Sequence, residues 1–77
     1  MNKDEKLAAF DRIDTDLLLG SRKNKAIVKL FLQGITYKDI ALQYGLTPAR
    51  IGQILDRQAR RANAYKRSIA EDKNAGF

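Results

Sequence analysis

Residues 36–54 read TYKDIALQYGLTPARIGQI, and they give the clearest indication of the fold. It contains two segments of helical character separated by a very short connection. Thr36 and Thr47 each precede a segment and can cap it with the side-chain oxygen, and Pro48 is favoured at a first helical position. Gly45 suits a turn with left-handed backbone, where a Cβ is costly. The stretch therefore predicts two helices that meet at a tight corner.

Seven positions in this stretch carry the residue types that a steep crossing of two helices needs: apolar side chains facing inward, a small residue at the crossing and a glycine in the turn. They are Ile40, Ala41, Tyr44, Gly45, Leu46, Ile51 and Ile54. The pattern predicts a helix-turn-helix over about residues 36–60. A tight corner in any small helical bundle has the same pattern, so other features must decide between a binding motif and plain packing.

Helical periodicity also covers the rest of the chain. We predict an N-terminal helix over 4–19, a second helix over 22–33, and a last helix that continues from the corner to residue 70. No window alternates with a period of two, so the expected fold is an all-α, four-helix single domain over 1–70. A flexible tail is expected over 71–77.

Apolar stripes mark the first predicted helix and the extension of the last one. They could complete the core of one molecule by packing on each other, or they could pair with a second copy. We favour a homodimer, because a short domain gains affinity by binding two half-sites. The stripe residues are Leu7, Phe10, Ile13 and Leu17 in the first helix, and Ala62, Tyr65 and Ile69 in the extension.

Composition excludes several classes of function. The 77 residues include no Cys and no His, so we expect neither a disulfide scaffold nor a metal, and no other cofactor. There is no Gly-rich phosphate loop and no carboxylate pair suited to acid–base chemistry, which predicts that the chain is not an enzyme. No long apolar run and no signal-peptide core is present, so we expect a cytoplasmic protein that contacts no membrane.

The net charge of +6 is unevenly distributed. Residues 20–46 carry a net +4 and residues 47–67 a net +5, whereas residues 1–19 carry −2 and residues 68–77 carry −1. A basic block between acidic ends is typical of a surface that binds a polyanion, although a solvated basic face would have the same composition. The basic last helix and its small first-turn side chains favour a DNA-binding helix-turn-helix.

Four short motifs support a comparison with known domains. They read GITYKDIA at 34–41, GLT at 45–47, RIGQI at 50–54, and a basic run at 57–61. With them, the chain from about residue 22 to residue 61 resembles the promoter-reading C-terminal domain of bacterial sigma factors, and more loosely the C-terminal domains of response regulators. The resemblance implies a role at a promoter, with the helix after the turn in the major groove.

The chain also departs from that family. Sigma factors usually carry charged or long polar side chains where Pro48, Ala49 and Gly52 stand, so the family's promoter preference does not carry over. The chain also has no domain that could grip the polymerase core or melt DNA. We therefore predict a small stand-alone regulator of the phage or mobile-element type.

The candidate DNA contacts have different expected partners. The Gln53 amide can bond adenine or a phosphate, and Arg50 can bind guanine or, near the helix start, a phosphate. Ala49 offers a methyl group to thymine or simply favours the helix, and Thr47 can meet a phosphate at the helix N-terminus. Tyr37 begins the helix that crosses the backbone, or it packs as a hydrophobic staple. The full set is Tyr37, Lys38, Thr47, Pro48, Ala49, Arg50, Gly52, Gln53, and the phosphate-binding Arg57, Arg60 and Arg61.

Three functions compete on this basis. The first is a double-stranded-DNA-binding transcription regulator, a repressor or modulator that occludes a promoter in a bacterial cell or phage-infected host. The second is a sigma-like interaction module that binds host RNA polymerase or its sigma factor. The third is an adaptor that marks a phage genome for packaging or replication.

Overall fold

The computed structural model describes the backbone of residues 1–18 and 20–75 and the side chains of residues 1–18 and 20–69. Its helices are α1 (Lys3–Phe10), α2 (Arg22–Leu32), α3 (Tyr37–Tyr44) and α4 (Pro48–Ala75), with a short 3-10 helix (Thr15–Leu17) between α1 and α2. The residues described include no strand. The all-α, four-helix fold expected from the sequence is confirmed.

Each α-helix begins at a polar residue whose side chain satisfies a free backbone N–H group of the first turn. Such a cap contributes about 1 kcal/mol to helix stability. The caps are Asn2, Ser21, Thr36 and Thr47, whose side-chain oxygens accept the backbone N–H three residues later at 2.8 to 3.2 Å. The starts of the helices are therefore encoded locally in the sequence.

The first helix is shorter than predicted. It ends at Phe10 rather than at residue 19, and Arg12 has a left-handed backbone with φ 60°. Asp14 then accepts a hydrogen bond from the backbone N–H of Asp16 at 3.0 Å and so begins the 3-10 helix. A short acidic side chain that bonds its own backbone offers the chain an alternative to the α-helix. The spacing of apolar residues does not show that a side chain competes with the α-helix for backbone N–H groups in this way.

The residues of the predicted apolar stripes are divided between the core and the surface of the molecule. Phe10 and Ala62 are buried, and Ile13 packs against the core while half-buried. The exposed members are Leu7, Leu17, Tyr65 and Ile69, which keep 36%, 56%, 38% and 41% of their surface accessible. The stripes therefore supply part of the core of one molecule and leave several apolar side chains on the surface.

The last helix is longer than predicted. α4 has 28 residues and continues to Ala75, beyond the predicted end at residue 70, because no Gly or Pro occurs between Gly52 and Gly76. At 1.5 Å per residue it measures about 42 Å and accounts for most of the 49 Å length of the molecule. Part of the tail predicted over 71–77 is therefore helical, and residues 76 and 77 lie outside the described residues.

The core is assembled around the first half of α4, which contacts α1, α2 and α3. Aromatic rings join the smaller helices to one another, since the Phe31 ring lies 6.2 Å from that of Phe10 and 5.9 Å from that of Tyr37. The fully buried aliphatic side chains are Ile27 and Val28 of α2, Ile40 of α3, and Ile51 and Leu55 of α4. One face of α4 therefore packs in the core, and the opposite face is exposed to solvent.

Gln58 is a polar side chain on the packed face of α4. It is 1% exposed, and neither its amide nitrogen nor its amide oxygen has a hydrogen-bond partner among the described residues. Gly20 covers it so closely that a Cβ on that glycine would lie 2.9 Å from Gln58 Nε2. An unpaired buried polar group costs about 1–3 kcal/mol, so Gln58 lowers the stability of the fold.

We therefore expect Gln58→Met to raise the free energy of unfolding by about 1–2 kcal/mol, since methionine has a similar shape and needs no partner. Urea unfolding followed by circular dichroism measures the change. Gln43→Met is the matched control, because Gln43 is exposed on α3 and should leave stability within about 0.5 kcal/mol of the original. A loss of stability in Gln58→Met would show that the amide is satisfied in solution.

Candidate nucleic-acid interface

The corner between α3 and α4 depends on Gly45. This residue has φ 65° and ψ 33°, and its N–H donates to the carbonyl oxygen of Ala41. The N–H of Leu46 donates to the same oxygen at 2.9 Å, and its side chain is half-buried against the core. Thr47 then caps α4, and residues 48–50 remain exposed. The corner therefore presents the first turn of α4 to the solvent.

A groove of about 320 Å³ lies beside this first turn. Arg50, Gln53 and Arg57 line it from α4, and Lys23 and Asn24 line it from the first turn of α2. Arg50 Nη1 donates to Gln53 Oε1 at 3.3 Å, so these two side chains lie next to each other. The groove thus brings together Arg50, Gln53 and Arg57 from the predicted DNA contacts with Lys23 and Asn24, which are not in that set.

Exposed basic residues continue along α4 past the groove. A second depression of about 250 Å³ is lined by Gln53, Asp56, Arg57 and Arg60. Residues three and four apart share one side of a helix, so the spacing of these exposed residues places them on one surface. We call this surface the basic face and define it as Arg50, Gln53, Arg57 and Arg60.

The acidic residue beside the basic face is engaged by cations of its own. Asp56 Oδ1 lies 3.4 Å from the Met1 ammonium and 3.8 Å from Lys6 Nζ, and Oδ2 lies 3.6 Å from Arg60 Nη2. Partial burial acts to raise the pKa of Asp56, but the positive charges of the Met1 ammonium, Lys6 and Arg60 outweigh it and hold that pKa below its ordinary value. The carboxylate is therefore charged but locally neutralised, and it opposes an incoming anion only weakly.

Tyr37 packs within the fold and does not line the groove beside the first turn of α4. Its hydroxyl accepts a hydrogen bond from Lys6 Nζ at 3.0 Å, and its ring packs beside that of Phe31. The ammonium of Lys6, itself 6% exposed, also lies 5.2 Å from the ring centre. This position fits a packing role, because Lys6 of α1 bonds the hydroxyl and Phe31 of α2 packs beside the ring.

Gly52 also packs within the fold. A Cβ at this position would lie 3.6 Å from Cε2 of Tyr37, so Gly52 faces α3 rather than the open side of α4. This is an ordinary contact distance, so the position has room for a methyl group.

Gly52→Ala is expected to raise the free energy of unfolding by about 0.5–1 kcal/mol, because alanine favours a helix interior and its Cβ would meet Tyr37 at an ordinary contact distance. Gly45→Ala is the matched comparison and should be destabilising by about 1–2 kcal/mol, since φ there is 65°. Chemical unfolding of both variants tests the pair. A destabilised Gly52→Ala would contradict this packing of α3 on α4.

The remaining predicted contacts fall into two groups. Lys38, Thr47, Pro48 and Ala49 are exposed near the corner. Arg61 instead lines a separate depression of about 370 Å³, together with Leu17, Leu18, Ala64, Tyr65 and Ser68. The structure therefore separates Arg61 from the groove beside the first turn of α4.

Comparisons with protein-family profiles, with curated proteins and with solved structures give no match to this chain. In the part of the chain that the structure describes, no helix is long and apolar enough to cross a membrane. The groove and the basic face are therefore the features of this molecule that indicate a function.

Proposed function

We propose that this chain is a sequence-specific, double-stranded-DNA-binding transcription regulator that acts by occluding a promoter. The observation that carries the proposal is the groove at the corner, where Arg50, Gln53 and Arg57 of α4 face Lys23 of α2. Cationic side chains supply affinity through phosphates, and an amide offers a paired donor and acceptor to a base edge.

The first turns of α4 have the dimensions and chemistry that the major groove requires. That groove is about 12 Å wide and admits one helix. Pro48 and Ala49 are short and exposed, so α4 can approach the base edges closely. The hydrogen bond from Arg50 orients the Gln53 amide and leaves its nitrogen free to donate to adenine. Lys23, across the groove, is placed to meet a phosphate at its edge.

We also propose that the regulator acts as a homodimer through the apolar surface beyond Arg61. Leu17, Tyr65 and Ile69 are exposed there, and the first two line the depression of about 370 Å³. A second copy packed on this surface would bury these side chains and leave the basic face uncovered. Two basic faces could then bind half-sites about 34 Å apart on one side of a duplex.

The proposal is tested by selecting bound sequences from a random duplex library at physiological salt, with size-exclusion chromatography of the same sample. We expect an enriched motif, palindromic if the dimer is correct. Gln53→Ala should lose base preference at one position of the half-site, whereas Arg57→Gln should retain the motif and bind it more weakly. If folded protein enriches no motif, the proposal fails, and recovery of RNA polymerase or sigma factor without DNA would then support the interaction-module alternative.

A further inference from the structure

The basic face continues beyond the part of α4 that a helix-turn-helix uses. Ala64 and Arg67 are exposed and extend its spacing, so that the stripe from Arg50 to Arg67 advances by steps of three and four residues. At 1.5 Å per residue this stripe measures about 26 Å. A docking helix reads base edges with its N-terminal residues, so the second half of the stripe has no part in base contacts.

The second half of the stripe is exposed, and no bulky side chain of the stripe lies between its two arginines. Ala64 presents only a methyl group between Arg60 and Arg67, so a phosphate can come close to the helix there. Lys66, the adjacent cation, donates to the carbonyl oxygen of Ala8 at 2.9 Å and belongs to the packing of α1 on α4. Arg67, by contrast, is exposed on the stripe.

We propose that Arg60 and Arg67 form a second contact with the same duplex, on the phosphate strand that α4 crosses as it leaves the major groove. The major groove winds around the duplex axis, so a helix with a stripe about 26 Å long follows it over only part of that length and then passes over the bounding strand. α4 reads bases with its first turns and holds the backbone with its later ones. This inference rests on the proposed function and adds a region of contact to it.

The salt dependence of binding tests the inference. Loss of one phosphate contact should reduce the slope of log K against log salt concentration by about 0.9. We expect this reduction for Arg67→Gln, with equal weakening on the selected and a scrambled duplex. Arg12→Gln is the matched control, because the Arg12 side chain is 92% exposed in the loop after α1 and should leave the slope unchanged. An Arg67→Gln slope equal to that of the control overturns the inference.

A cleavage experiment tests the same contact by position. The chain contains no cysteine, so Asn63→Cys provides a single thiol, three residues from Arg60 and four from Arg67, for an iron chelate that generates hydroxyl radicals. We expect cuts in the backbone outside the selected motif, and none from the same chelate on Asp11→Cys. No cuts from Asn63→Cys would overturn the inference. If both tests fail while Arg57→Gln still weakens binding, only the second contact is lost; if the unmodified protein binds no duplex, the proposed function fails.

Discussion

Leu55→Ala is expected to lower the free energy of unfolding by about 2–5 kcal/mol, the range for removing a buried leucine from a packed core. Leu55 is 0% exposed and lies in the half of α4 on which α1, α2 and α3 pack. Truncation removes apolar contacts and leaves a cavity that three helices cannot all close. Because native domains are stabilised by roughly 0.05–0.15 kcal/mol per residue, a loss of this size is a large part of the total for 77 residues.

Thermal unfolding followed by circular dichroism measures this effect. A domain of this size loses about 4–8 °C in Tm for each kcal/mol, so we expect a decrease on the order of 10–20 °C or more. Leu42→Ala is the matched control, because the same change is made on α3 at a side chain that is 73% exposed. The control should stay within about 0.5 kcal/mol of the original. Equal effects of the two variants would contradict the position of α4 at the centre of the core.

The double variant Arg50→Gln/Arg57→Gln is expected to weaken duplex binding by roughly 100-fold, at about tenfold for each lost charge contact. Both side chains line the groove beside the first turn of α4, and both are exposed. The slope of log K against log salt concentration should fall by about 2, since each phosphate contact contributes about 0.9. The fold should be unchanged, because neither residue belongs to the core.

Fluorescence anisotropy with a labelled duplex at several salt concentrations measures affinity and slope together. The control is Lys3→Gln/Arg12→Gln, which removes the same two positive charges at exposed positions of α1 and the loop after it. It should change affinity only through net charge, by a few-fold at low salt and less at physiological salt. If the two double variants lose the same affinity, binding depends on overall charge and the groove has no special role.

The corner could be predicted from sequence because its signals are local. Capping at Thr36 and Thr47 and the positive φ of Gly45 each involve backbone within a few residues, so the residue types alone indicate them. The end of α1 could not be predicted from apolar spacing, which continues past it. The helix ends where Asp11 is extended and Arg12 has a positive φ, and Asp14 then begins a 3-10 helix by accepting the backbone N–H of Asp16.

The part of the candidate site that could be predicted from sequence is the set of α4 side chains whose exposure follows from their spacing along the helix. Arg50, Gln53 and Arg57 lie opposite the apolar positions of α4, so their exposure was evident from spacing. The choice between the two alternatives for Tyr37 could not be made from sequence, because the packing of this residue depends on a hydrogen bond from Lys6, which is distant in sequence. Lys23 entered the site only through the packing of α2 beside α4, for which a single sequence has no local signal.

A titration of the ¹⁵N-labelled protein with duplex DNA, followed by amide chemical shifts, locates the DNA-binding surface directly. We expect the largest changes at Lys23 and Asn24 and at the exposed positions from Thr47 to Arg60, and little change in α1 and at Leu42. No change at saturating DNA, or changes centred on Leu17 and Tyr65 instead of the groove, would contradict the proposed function.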